Sequence, residues 1–294
     1  MGIVLILTAA VFWGIIGVFT RPLLEKGFTP LQLSAARALA GAVCAVIYCL
    51  FKNPRLLKIH FRDIWIFIGT GLVSFTFMNL FYYMTQQLCS LSTAAVLLYT
   101  SPIFVMLLSA VLFKERITAV KVIALILAAA GCVLVSGIGT GNFTLTGFLT
   151  GIGSGLAYAL YSIFSRFGLR KYNAVTITAY TFIVAAAVTV PVCAPVKASV
   201  IIARNPASLL LMLGLGTVAA FIPFLCYTKG LETVDTGRAA ILVTLEPAVA
   251  SVLGILVFQE ALSAGGIAGI LLVLASVVVL NTEGRFLCRK KQKN

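Results

Sequence analysis

The sequence predicts an all-α integral membrane protein whose ten transmembrane helices form two inverted five-helix repeats. Three observations predict it. The 294-residue chain is 61% hydrophobic and only 10% charged, well below the roughly 25% charged content of soluble domains, so it has too little charge to cover a soluble core. Its mean hydropathy is +1.10. Its basic residues collect in alternate loops. Shifted along itself by 145 residues, the chain also brings proline, glutamate, tyrosine and arginine into register.

Apolar runs with few charges, close to the ~20 residues that cross a bilayer, fall at 3–20, 30–51, 63–84, 91–113, 119–137, 147–165, 174–195, 206–228, 238–258 and 264–281. Charges, glycine or proline bound each run. The stretch 122–165 is uncharged for the length of two spans, and SGIGTGNFTLTG divides it because glycine, threonine and asparagine form turns. The first span lacks the basic n-region of a signal peptide and exceeds a typical h-region, so it reads as retained.

The net charge of +14 would suit a nucleic-acid binder if it were gathered in one patch. It is not. With a cytoplasmic N-terminus, the inside loops hold Lys52, Arg55, Lys58, Arg62, Lys114, Arg116, Lys121, Arg166, Arg170, Lys171, Lys229 and Arg238, and the tail RFLCRKKQKN adds more. Outside loops keep Arg21, Lys26, Lys197 and Arg204, and Arg37 lies within a span. This asymmetry places both termini in the cytoplasm and makes the tail, 283–294, a headgroup anchor, with no nucleic acid as partner. Seven cysteines are scattered in depth without a C-x-x-C pair. They form neither a disulfide framework nor a metal site, and behave as small apolar side chains.

The repeat divides the chain at 1–137 and 147–282. TAAVLLYTSPIFVMLLSAVLFKERIT, from Thr93, overlies RAAILVTLEPAVASVLGILVFQEALS, from Arg238. The same offset pairs Pro102 with Pro247, Glu115 with Glu260, Trp13 with Tyr158, Phe19 with Phe164, Arg21 with Arg166, Gly69 with Gly214, Gly71 with Gly216 and Tyr82 with Tyr227. Five spans per unit is an odd number, so the second copy enters the membrane from the other side. Inverted repeats recur in secondary transporters because two related halves of opposite orientation can exchange conformations around a central site.

The unit SPIFVMLLSAVLFKERITAVKVIALILAAAGCVLVSG, repeated as EPAVASVLGILVFQEALSAGGIAGILLVLASVVVLN, resembles the EamA-type half of the drug/metabolite transporter superfamily. In that family a proline-bearing span leads through a short loop with a glutamate into a glycine- and alanine-rich span. The resemblance implies ten spans, both termini inside, a small-molecule substrate and a central cavity lined by spans one, three, four, six, eight and nine. It says little about which substrate.

No H-E-x-x-H, G-x-S-x-G or P-loop occurs, and the one histidine, His60, lies in a basic loop, so the chain is not expected to be an enzyme or to need a cofactor. Uphill transport must then draw on an ion or substrate gradient. Glu246 is expected about 13 Å into its span at 1.5 Å per residue, where an ionised acid costs about 2.5–3.5 kcal/mol on insertion scales. It is either a functional acid or one paired with a neighbouring helix. Pro247 kinks its span and frees carbonyls. Pro102 repeats the device, with Ser101 in place of the acid. Arg37 either clamps a substrate carboxylate, pairs with Glu246 or another polar group, or snorkels to the surface.

Tyr158, Tyr161, Ser162 and Ser165 follow i, i+3, i+4, i+7, and the equivalent span offers Trp13, Gly17 and Thr20. Thr76, Asn79, Tyr82 and Tyr83 mark span three, and Tyr227 marks span eight. With Tyr99, Ser101, Thr244, Arg37 and Glu246 these are the candidate cavity residues, and Pro102 and Pro247 the candidate gating kinks. Glu115 and Glu260 precede Thr118 and Ser263, which can cap the following helices. The G-x-x-x-G at Gly265 and Gly269 permits a close helix contact, internal or between protomers, so monomer and homodimer both stay open. The expectation is a secondary transporter of the plasma membrane with a proton as candidate coupling ion, and the family resemblance implies export of an amino acid or related small polar metabolite. A receptor, accessory subunit, flippase or channel is the competing class.

Overall fold

The computed structural model describes residues 1–136, 144–259 and 263–291, without side chains for 283–291. Among these, ten helices are long and apolar enough to cross a bilayer: Gly2–Glu25, Pro30–Lys52, Phe61–Leu88, Leu91–Phe113, Ala119–Ser136, Leu145–Gly168, Ala174–Val192, Ala207–Gly230, Thr236–Phe258 and Ala264–Thr282. They are spans one to ten. Their ends agree with the sequence expectation to within a few residues. Span one runs further, through Arg21 and Pro22, because a helix continues into the interface beyond the apolar core. Most of the expected turn before span six, Glu260 and the side chains of the basic tail lie outside the described residues.

Starts are set by short polar side chains. Thr29 and Gln32 form a reciprocal capping box with Pro30 at the first helical position of span two. Ser90, Thr144 and Asn173 accept the amides of Thr93, Gly147 and Thr176 at the starts of spans four, six and seven. Thr118 and Ser263 accept those of Lys121 and Gly266. Spans four and nine each end in a left-handed residue, Lys114 at φ 57° and Gln259 at φ 53°, which are counterparts under the 145-residue offset.

The inner spans are interrupted. Span one breaks at Ile15, span four between Leu98 and Ser101, and span nine at Thr244. Pro102 therefore stands in the first turn of a restarted helix, where its missing donor costs nothing; Pro247 stands third in the helix that restarts at Leu245, also within its first turn. Spans three and eight carry π-helical turns over Gly69–Thr76 and Thr217–Phe221. The offset carries 69–76 onto 214–221, so both copies unwind at the same level.

Packing has the symmetry of the repeat. Spans two and seven pair, as do four and nine, and five and ten, while three packs on six as eight packs on one. The offset maps each contact onto another of the same set. Equivalent residues also pack reciprocally: Gly69 lies against the Phe164 ring and Gly214 against the Phe19 ring, and a Cβ at either glycine would run into that ring. The G-x-x-x-G is used inside the protomer, with a Cβ at Gly269 falling 2.7 Å from the Gly131 carbonyl on span five. Loops after spans two, four, six and eight share one face with the start of span one, and carry most of the basic residues. That face is termed the basic side.

Candidate functional site

A cavity of about 680 Å³ enters between the two halves and ends near mid-depth. Its mouth, formed by Leu24, Pro30, Leu31, Gln86 and Val192, lies on the side away from the basic loops. Its floor holds Trp13, Arg37, Tyr99, Tyr158, Phe224 and Glu246. Tyr158 donates to Glu246 Oε2 at 3.4 Å, and Trp13 meets Tyr158, its repeat counterpart, edge to face at 6.3 Å. The break at Thr244 sets Glu246 in the first turn of a new helix, whose partial positive charge favours an anion there.

Arg37 is held by the backbone. Its Nη2 donates to the Ala219 carbonyl at 3.0 Å, in the π-helical turn of span eight, where an altered hydrogen-bond register leaves carbonyls free for side chains. Phe75 and Phe224 flank the guanidinium at 5.5 and 5.7 Å from their centroids. No ion pair joins it to Glu246 among the described residues, although the two act on each other electrostatically. Trp13 Nε1, Ser34 Oγ and Arg37 Nε are buried without a protein partner, and all three residues line the cavity. The wall thus offers an acceptor at Glu246 and a group of donors nearby.

Of the sequence candidates, Trp13, Arg37, Thr76, Asn79, Tyr82, Tyr83, Tyr99, Tyr158 and Glu246 line this cavity. Tyr161, Ser162 and Tyr227 instead sit in the packed region between its floor and the basic side: Tyr161 bonds Thr228 and Ser162 bonds Tyr227, each at 2.7 Å. The Phe224 and Tyr227 rings pack against Trp13, at 5.2 and 5.5 Å between centroids. Thr244 and Ser101 are buried at the helix breaks, with Thr244 donating to the Ile241 carbonyl. Sequence reasoning passed over Ser34, Gln86 and Phe224. Ser34 lies one turn from Arg37, and Gln86 one turn from Tyr83, so helical spacing carried a signal for both.

The offset relates the closed contacts to the open wall. Tyr161, Ser162, Tyr227 and Thr228 correspond to Ile16, Gly17, Tyr82 and Tyr83, and all four counterparts line the cavity. The residues bonded on one side thus have cavity-lining counterparts on the other.

Closer to the basic surface, both oxygens of Glu115 accept the first-turn amides of span nine, from Thr236 at 2.8 Å and Gly237 at 3.1 Å. Burial opposes the charge of Glu115 most strongly, yet these amides together with Thr236 and Lys121 hold the carboxyl below its ordinary value of 4.5. Lys121 donates to the Arg116 carbonyl and Asp235. Asp63 takes Lys171 at 2.6 Å and the Tyr172 hydroxyl at 2.8 Å, tying the loops of the two halves together.

The model of the EamA-like transporter family matches residues 1–137 and again 145–282. The chain belongs to the EamA-like transporter family. An "Uncharacterized transporter" of Archaeoglobus fulgidus is 30% identical to this EamA-like chain over 276 residues, 93% of this chain and 94% of that one. The "Uncharacterized inner membrane transporter YicL" of Salmonella typhimurium is 22% identical over 290 residues, 97% and 96% of the two chains. A solved structure titled "Crystal structure of protein" superposes with a TM-score of 0.80 at 19% identity, covering 97% of this chain and 98% of that one, and this likeness speaks for the fold alone. The chain is thus a multi-pass membrane transporter of the EamA type.

Proposed function

We propose that this EamA-like chain is a secondary transporter that exports an amino acid or related small polar metabolite across the plasma membrane by alternating access. The observation that carries this reading is the reciprocal state of equivalent residues. Tyr227 is bonded and 3% exposed while its counterpart Tyr82 faces the cavity. Exchanging the conformations of the two halves would part Tyr227 from Ser162 and bring Tyr82 towards Gly17, moving the opening to the basic side. The asymmetry of basic loops supports a cytoplasmic basic side, with the cavity here open outwards.

The floor chemistry supports the substrate class. Glu246 and the Tyr158 hydroxyl receive an ammonium group, and the unpartnered donors of Trp13, Ser34 and Arg37 receive a carboxylate. Tyr82, Tyr83, Leu98 and Phe77 supply apolar wall for a side chain. Glu246 is also the group through which a proton gradient would couple. The test is a screen of amino acids and related metabolites for counterflow in proteoliposomes, with and without a pH gradient. Saturable counterflow that depends on Glu246 supports the reading. A chain that neither exchanges any such solute nor gains thermal stability from one is a receptor or accessory subunit.

A further inference from the structure

The loop between spans two and three is pinned to the second repeat on the basic side. Asn53 accepts the amide of Arg55 at 3.0 Å and starts a 3-10 turn over Pro54–Leu57. The carbonyls of Leu56 and Leu57 then accept the Thr176 and Tyr180 hydroxyls of span seven, at 2.8 and 2.7 Å. The amide of His60 donates to the Tyr172 hydroxyl at 3.0 Å. Each of these bonds to span seven and its approach crosses from one half to the other.

Between this loop and the residues leading into span seven lies a recess of about 910 Å³. Arg55, Lys58, Arg62 and Lys171 line it, and Asp63 is the acid among its described lining residues. Asp63 is buried and already takes Lys171 and the Tyr172 hydroxyl. Arg55, Lys58 and Arg62 are therefore left without an acid partner among the described residues. Cations gathered round one concave surface focus a field that draws an anion, and the planar fork of arginine matches a phosphate. Topology alone puts basic residues on this face, but it does not arrange them round a recess whose acid is already neutralised. Nor does the scaffold need them: the offset carries Arg55, Lys58 and Arg62 onto Val200, Ala203 and Ala207.

The apolar lip of the recess indicates what carries the phosphate. Phe61 lines it and is 83% exposed. Phe51, in the last turn of span two, is 90% exposed, and Trp65, in the first turns of span three, is exposed as well. Aromatic side chains at span ends mark the headgroup level of a bilayer. A soluble phosphate ester would leave Phe61 in water, whereas a lipid covers it. We propose that this recess binds the headgroup of an anionic phospholipid, with its phosphate among Arg55, Lys58 and Arg62 and an acyl chain along Phe61. Basic recesses between spans suit such headgroups. Residues of both repeats line the site, so the bound lipid bridges the halves on the basic side. The site is separate from the central cavity and does not depend on what that cavity carries.

Native mass spectrometry of the full chain in detergent counts bound lipid during titration with phosphatidylglycerol or phosphatidylcholine of the same acyl chains. The first phosphatidylglycerol should bind about tenfold to a hundredfold more tightly than phosphatidylcholine, the combined pull of the three cations. The combined change Arg55→Gln, Lys58→Gln and Arg62→Gln should remove that preference. Arg289→Gln, Lys290→Gln and Lys291→Gln together take the same charge from the tail and should leave it intact. Equal binding of the two lipids by the parent, or a preference that falls as far in the tail variant, overturns the proposal. Competition by inorganic phosphate or glycerol phosphate, at the concentrations where phosphatidylglycerol binds, also overturns it, because the ligand is then a soluble phosphate. The three substituted side chains are exposed, and thermal unfolding in detergent checks that the triple variant folds. If it does not, Arg62→Gln decides alone: a preference lowered about fivefold supports the site, and an unchanged one overturns it.

Discussion

Tyr82 and Tyr227 hold the same place in two copies of one five-helix unit, and their surroundings are opposite. Tyr227 is bonded to Ser162 and packed on Trp13, whereas Tyr82 stands on the wall of an open cavity. The same contrast separates Thr228 from Tyr83 and Ser162 from Gly17. Elsewhere the halves agree closely: Gly69 on Phe164 and Gly214 on Phe19, π-helical turns in spans three and eight, and left-handed ends at Lys114 and Gln259. The copies therefore share a scaffold and differ where they bound the cavity. Part of that difference is one of sequence, since Ile16 and Gly17 stand where Tyr161 and Ser162 carry their hydroxyls.

Four changes break or sharpen that contrast, taken from the largest effect down. Glu246 has Ser101 as its counterpart, so it is unique to one half. Glu246→Gln should lower counterflow by about tenfold to a hundredfold, the loss of a charge-assisted contact, with thermal stability retained. The scaffold glycines should behave alike: Gly69→Leu and Gly214→Leu each force a side chain into a phenylalanine ring and should cost about 1–3 kcal/mol of stability, read by thermal unfolding in detergent. A large cost at one and none at the other would show that the reciprocal packing does not hold.

Tyrosine substitutions should diverge. Tyr227→Phe leaves Ser162 without its buried partner and should lose about 1–3 kcal/mol, while Tyr82→Phe should leave stability nearly unchanged and alter substrate affinity. The smallest effect is pH-dependent. Burial raises the Glu115 carboxyl, and the amides of span nine together with Thr236 and Lys121 bring it below 4.5. Its grip is therefore complete above 4.5 and weakens as pH falls through the lowered value. The distance between spin labels at Leu169→Cys and Glu232→Cys, in a chain lacking its native cysteines, should stay constant from neutrality down to that range and lengthen below it, and Glu115→Gln should abolish the acid limb.

Much of this fold was legible because bilayer thickness and loop charge constrain a sequence strongly. The ten spans, the offset and the opposite entry of the second copy follow from run length, register and parity. The interruptions of spans four and nine were legible from Pro102 and Pro247, but the break at Ile15 and the π-helical turns were not. They arise from tertiary packing around the cavity and leave no periodic signature. Helical spacing correctly grouped Tyr158, Tyr161 and Ser162 on one face, but a face that lines a cavity and a face that closes one carry the same polar residues. The Glu115 contact with Thr236 spans 121 residues, and only the folded arrangement of spans four and nine brings the two together.

The most direct test of alternating access labels the two equivalent tyrosines from each side of sealed proteoliposomes with a membrane-impermeant thiol reagent, in a chain lacking its native cysteines. Tyr82→Cys should react from the side opposite the basic loops and Tyr227→Cys from the basic side, with conditions that raise one rate lowering the other. Reaction of both positions from the same side, or rates that rise and fall together, would contradict the account.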